Sequence, residues 1–119
     1  MKKNRKDISI VTGAGSGIGR AIALKLANDG FDVAAIDLDE VSAKSTAQDI
    51  NLQGGTAESF HVDVTDQLAM LSAFKDIAAE GRVRGLVNSA GIACIGSLAQ
   101  TSNADFERVF NANVRGVYN

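Results

Sequence analysis

Apolar positions change rhythm repeatedly along this chain. Ile8 to Val11 is a short β-rich run and reads as a buried strand. Ile18, Ile22, Leu24 and Leu26 then recur among alanines at helical spacing, which predicts a helix from Ile18 to Asn28 with Gly30 as its stop signal. Phe31 to Asp37, FDVAAID, predicts a second strand. Asp39 is placed to cap a helix running through Val41, Ala47 and Ile50, and the pair Gly54 and Gly55 suits a left-handed end. Thr56 to Val62 predicts a third strand, Asp66 to Ala79 a third helix closed by Gly81, and Gly85 to Asn88 a short fourth strand. A loop from Gly91 to Thr101 leads to a last helix capped by Ser102 or Asn103, whose apolar rhythm begins near Phe106 and is still running at Val117.

Strand followed by helix, four times over and without a low-complexity linker, is the pattern of an α/β fold. Right-handed crossovers lay the strands parallel, with helices on both faces of the sheet. The near-continuous apolar character of the runs fits strands covered on both sides. A chain of 119 residues has room for one modest domain, which buries roughly 65% of its unfolded surface. With 45% hydrophobic residues, 22% charged and a net charge of −2, nothing points to nucleic acid or membrane. No apolar run approaches the roughly 18 residues of a spanning helix. The basic start MKKNRK is followed by the strand-like ISIV without a small-residue cleavage site, so a cytoplasmic location is expected. One histidine and one cysteine make no metal cluster.

Candidate chemistry is concentrated in Thr12 to Arg20, TGAGSGIGR, between the first strand and the first helix. Gly13, Gly15, Gly17 and Gly19 permit positive φ and let backbone N–H groups approach a diphosphate, and the helix N-terminus behind them favours negative charge. In this strand-loop-helix setting the glycines read as a phosphate cradle rather than as a mere tight turn. No Lys-Ser or Lys-Thr follows them, which excludes a P-loop. Asp37 ends the second strand eighteen positions after Gly19. A carboxylate there accepts both hydroxyl hydrogens of an adenosine ribose and repels a 2′-phosphate, so NAD is favoured over NADP. Leu38 brings no guanidinium to such a phosphate, and Ser16 adds no cation in the glycine loop.

These motifs, in this order, resemble the N-terminal half of the short-chain dehydrogenase/reductase family. Thr12, Gly13, Gly17 and Gly19 match its Thr-Gly-x-x-x-Gly-x-Gly motif, and Asp63 and Val64 match the Asp-Val pair that holds the adenine ring. The family's Asn-Asn-Ala-Gly motif reads Asn88, Ser89, Ala90, Gly91, with a serine at the second position. Asn113, within NANVRGV, matches the asparagine of the family's catalytic tetrad. The resemblance implies a Rossmann-type doubly wound sheet in strand order 3-2-1-4, with residues 1–119 as the N-terminal part of one dinucleotide-binding domain. It also implies hydride transfer between NAD and an alcohol or ketone. The cofactor-binding set it implies is Gly13, Ser16, Gly17, Ile18 and Gly19 in the loop, Asp37 and Leu38 after the second strand, Asp63 and Val64 after the third, and Asn88, Ala90 and Gly91 after the fourth. Asn113 would be the catalytic residue.

In the family a strand carrying a serine and a helix carrying Tyr-x-x-x-Lys come after the asparagine. Tyr118 is the single tyrosine, has no lysine four positions on, and is read as a packing residue. The 119 residues are therefore expected to stop before the fifth strand, to grip adenosine and diphosphate, and to turn over no substrate unless the other half is supplied. A bare edge on strand four predicts association with a second copy, in keeping with the family's homo-oligomers. The competing reading is a non-catalytic dinucleotide-binding module acting through a partner. A methyltransferase ranks behind both, because it leaves the Asn88 motif without a role. His61 is expected to be packed or hydrogen-bonded on a buried strand, and Arg82 and Arg84 to be surface residues flanking strand four. Lys2, Lys3, Arg5 and Lys6 read as a solvated terminus, and Cys94 as an incidental reduced thiol.

Overall fold

The structure, a computed structural model, describes residues 7–91 and 102–119. Lys2, Lys3, Arg5, Lys6, Cys94 and the loop residues 92–101 lie outside the described residues. The elements run β1 (Asp7–Thr12), α1 (Gly17–Asn28), β2 (Asp32–Asp37), α2 (Glu40–Leu52), β3 (Ala57–His61), α3 (Gln67–Glu80), β4 (Arg82–Asn88) and α4 (Asn103–Phe110). The last helix continues through a π-helical turn (Asn111–Arg115) into a final turn (Gly116–Tyr118). All strand pairs are parallel and the order is β3-β2-β1-β4, the α/β arrangement expected.

Local chemistry sets the ends of these elements. The Asp39 carboxylate accepts from the Ser42 N–H at 3.2 Å, and that of Asp66 from the Ala69 N–H at 3.1 Å, so each starts its helix by satisfying an N–H that has no partner within it. Ser102 and Asp105 form a reciprocal capping box at the start of α4. Gly54, at φ 93°, adopts the left-handed conformation foreseen after α2. Gly81 differs: its backbone is extended, with φ −177°, and it feeds straight into β4 at Arg82.

Alternation along β1 and β2 builds two cores, one on each face of the sheet. Ile8, Ile10, Ala34 and Ile36 face Met70 and Ile77 of α3. Val11, Val33 and Ala35 face Ala23 of α1 and Ile50 of α2. Ile10, Ile36 and Ile50 are sealed from solvent, and each contributes roughly 1.5–3 kcal/mol through burial.

Several expectations need correction. Strand four begins at Arg82 rather than Gly85, and both arginines reach back to Asp7, Arg82 at 3.0 Å and Arg84 at 3.6 Å. The register explains the disguise: Ile8 pairs with Val83 and Ser9 with Gly85, so Arg84 is an extra, bulged residue. Continuous burial holds for β1 and β2 but not for the two edge strands. His61, at the end of edge strand β3, is exposed rather than packed. Tyr118 is 80% exposed, because it is Gly116 that the last turn presses inward, against Val64.

Candidate functional site

The C-terminal ends of all four strands open on one cleft of about 630 Å³. This is where an open parallel sheet receives ligands, since the chain reverses direction on either side of β1 there. The glycine loop forms its floor. A Cβ on Gly13, which sits at φ 67°, would lie 2.8 Å from the Ala90 backbone. One on Gly19 would lie 2.0 Å from the Gly13 carbonyl oxygen, so the first turn of α1 packs directly under the loop only because both are glycines. Gly17, at φ 56°, has open space where a Cβ would point. Ser16 starts α1 without a side-chain cap and no acidic residue lies in the first turn, whereas α2, α3 and α4 each carry a side-chain cap. The helix end that faces the cleft therefore presents N–H groups and the positive end of its dipole with no side-chain oxygen answering them.

Asp37 stands at the rim, half-buried. One carboxylate oxygen accepts from the Gly15 N–H at 2.8 Å and the other from the Asp39 N–H at 2.9 Å. A carboxylate has about four acceptor positions, so two remain for hydroxyl donors. Leu38 beside it is 63% exposed and uncharged. Asp39, which also borders the cleft, has its carboxyl held below the usual range, first by the Ser42 backbone N–H and then by the Ser42 hydroxyl.

The far wall is braced from β1. The Thr12 hydroxyl oxygen accepts from the Ser89 N–H at 3.1 Å and the Ala90 N–H at 3.2 Å, which draws the segment after β4 over the glycine loop. On the third side Val64 is held by the final turn, whose Asn119 side chain donates to its carbonyl at 3.0 Å.

Ten of the foreseen residues line the cleft: Gly13, Ser16, Ile18 and Gly19 from the loop, Asp37 and Leu38, Asp63 and Val64, and Ala90 and Gly91. Gly17 and Asn88 do not border it directly, and neither does Asn113. The Asn113 side-chain oxygen instead lies 2.9 Å from where a Gly91 Cβ would stand, brought there by the π-helical turn. Ile36, Asp39, Val62, Ser89 and Ala112 also line the cleft and were missed. Ser89 was visible as the odd residue of its motif and Asp39 as a helix cap; Ile36, Val62 and Ala112 carried no chemical signal in the sequence. Among the described residues no three His, Cys, Asp or Glu side chains come together as metal ligands.

Known proteins share this fold. A family model described as short chain dehydrogenase matches residues 7–119. The chain is 41% identical to the probable oxidoreductase EphD of Mycobacterium tuberculosis, over 92% of this chain and 19% of that protein. It is 36% identical to cyclopentanol dehydrogenase of Comamonas testosteroni, over 99% of this chain and 48% of that one. A 3-ketoacyl-ACP reductase from Sinorhizobium meliloti superposes with a TM-score of 0.89 at 34% identity, over 93% of this chain and 44% of that chain. The chain belongs to the short chain dehydrogenase family. It spans half or less of the length of these relatives. No described helix is long and apolar enough to cross a membrane.

Proposed function

We propose that this chain is the dinucleotide-binding part of an NAD-dependent oxidoreductase acting on an alcohol or ketone. One observation carries the reading: the Asp37 carboxylate and the N-terminus of α1, which lacks a side-chain cap, border the same cleft. The backbone N–H groups of the glycine loop and of Ile18 and Gly19 suit the diphosphate, Asp37 the ribose hydroxyls, and Asp63 with Val64 the adenine ring. Asn88, Ala90 and Gly91 are assigned to the reactive half of the cofactor. Asn113 is assigned to the catalytic end, and the approach of its side chain to Gly91 supports that. When bound, the cofactor supplies the hydride chemistry; the protein's part is to bind it, orient it and exclude the phosphorylated form.

Calorimetric titration with NAD and NADP tests this. NAD should bind roughly 10–100-fold more tightly, the range expected from two charge-assisted hydrogen bonds gained and one repulsion avoided. Asp37→Ser should erase most of that ratio. Equal affinities in the unaltered protein, or an unchanged ratio in the variant, would defeat the proposal.

Self-association is the second part of the reading. Val83 and Leu86 on β4 and Phe106, Val114 and Val117 on the last helix are all 40% or more exposed, an apolar edge and stripe of the kind that seeks cover. Sedimentation of the 119-residue chain at micromolar concentration should give a dimer or larger species. A stable monomer would end this part of the proposal.

A further inference from the structure

The glycine loop is held from behind by a side-chain relay that no motif signals. Ala14, at its centre, is sealed from solvent. Its N–H donates to the Ile36 carbonyl at 3.1 Å, and its carbonyl accepts from the Thr46 hydroxyl at 2.9 Å. Thr46 is fully buried in α2 and does not border the cleft. A threonine inside a helix ordinarily bonds back to the carbonyl four residues earlier. That partner, Ser42, is present but longer, at 3.2 Å. Arg20 of α1 donates to the Thr46 oxygen at 3.0 Å, and its second terminal nitrogen is ion-paired with Asp49 of α2. A hydroxyl that accepts from a guanidinium has its one proton to give elsewhere. The shorter contact sends it to Ala14.

We propose that Thr46 is a positioning residue for the phosphate cradle, acting through the Ala14 carbonyl, with the Arg20–Asp49 pair orienting its hydroxyl. The inference rests on the diphosphate reading of the loop given above. A buried carbonyl without a donor is costly, so removing the hydroxyl should make the peptide after Ala14 turn to find another partner. That rotation would misdirect the N–H groups that follow. The same peptide carries the Gly15 N–H that holds Asp37 at 2.8 Å, so the expected signature reaches the loop and the Asp37 contact together and leaves Asp63 and Val64 in place.

The test compares Thr46→Val, which keeps the shape and loses the hydroxyl, with Thr46→Ser, which restores it. Amide hydrogen exchange on the ligand-free chain should quicken about tenfold at Gly15 to Gly17 in the valine variant and return toward the original rate in the serine variant. Affinity for ADP should fall about tenfold in the valine variant, with a smaller loss for adenosine through Asp37, and both should return in the serine variant. If loop exchange is unchanged and only global stability drops, Thr46 merely packs and the proposal is overturned. Undiminished affinity for ADP in the valine variant overturns it too. Failure of the unaltered protein to bind ADP or NAD at all would instead defeat the dinucleotide reading, with the exchange comparison still deciding whether Thr46 holds the loop.

Discussion

β2 and β4 flank the same strand, β1, and both are bonded to it along their length, yet they end in opposite environments. Val33 to Ile36 of β2 are buried, whereas β4 leaves Val83 and Leu86 40% and 46% exposed. Pairing accounts for part of the difference, since β2 is bonded to β3 as well as to β1 whereas β4 is an edge strand, bonded among the described residues to β1 alone. Cover accounts for the rest. Around β2, α2 and α3 close both faces, with Ile50 on one side and Met70 and Ile77 on the other. The helix that follows β4 among the described residues, α4, has no buried residue, and its Phe106 and Phe110 stack on each other at 5.7 Å. The glycine loop proposed to cradle phosphate belongs to the closed region, where Ala14 bonds to Ile36 and Thr46 and Gly15 packs against Asp37 and Ser42. Asn113 belongs to the open one. The recognition proposed for the nucleotide thus falls in a region that is packed on both faces, and the residue proposed for catalysis does not.

The largest effect expected from this contrast is on stability. Ile10 is fully buried in the core under α3, so Ile10→Ala should cost about 2–5 kcal/mol. Leu86 lies opposite Ile10 in the β1–β4 register. Being 46% exposed, it should lose less than about 1 kcal/mol on the same truncation. Urea unfolding of the two variants measures both. Similar losses would mean that β4 is covered in solution by something that closes it as fully as β2, and the two regions would cease to differ.

The same division decided what could be read from sequence. In the closed region, position along the chain and position in space agree: apolar alternation marks strands covered on both sides, capping aspartates mark helix starts, and the spacing from Gly19 to Asp37 is set by one helix and one strand. Most of the cleft was legible for that reason. Errors fall where the deciding partner is remote. Arg82 and Arg84 are exposed, as expected, but they belong to the strand they were expected to flank, and their counter-ion, Asp7, is 75 positions from Arg82. His61 read as buried because strand order, which makes β3 an edge, is not a local property. Thr46 carried no signal and Arg20 only closed the glycine stretch, because their link to Ala14 exists only once α1 and α2 are side by side. The π-helical turn at Asn111–Arg115 has no marker in the helical rhythm around it.

A smaller effect separates the regions by pH. Asp39 caps α2 in the closed region and Asp105 completes the cap of α4 in the open one, and both carboxyls are held below their usual value. The main cause is the backbone N–H of Ser42 for the first and that of Ser102 for the second. Each depressed carboxyl binds its proton more readily in the unfolded chain. The stabilisation is therefore present above the ordinary aspartate value of 3.8 and is lost as pH falls through the lower folded value. The consequence differs because α2 is anchored by buried Ala43, Thr46, Ala47 and Ile50, while α4 has nothing buried to hold it. Amide exchange followed from pH 5 downward should show α4 opening first and alone, with α2 protected until the whole domain unfolds. Asp105→Asn, which keeps an acceptor but cannot titrate, should flatten the acid response of α4 and leave that of α2 unchanged. Simultaneous opening of the two helices would show that they share one cooperative unit, and that the exposed helix is tied to the core more firmly than its packing implies.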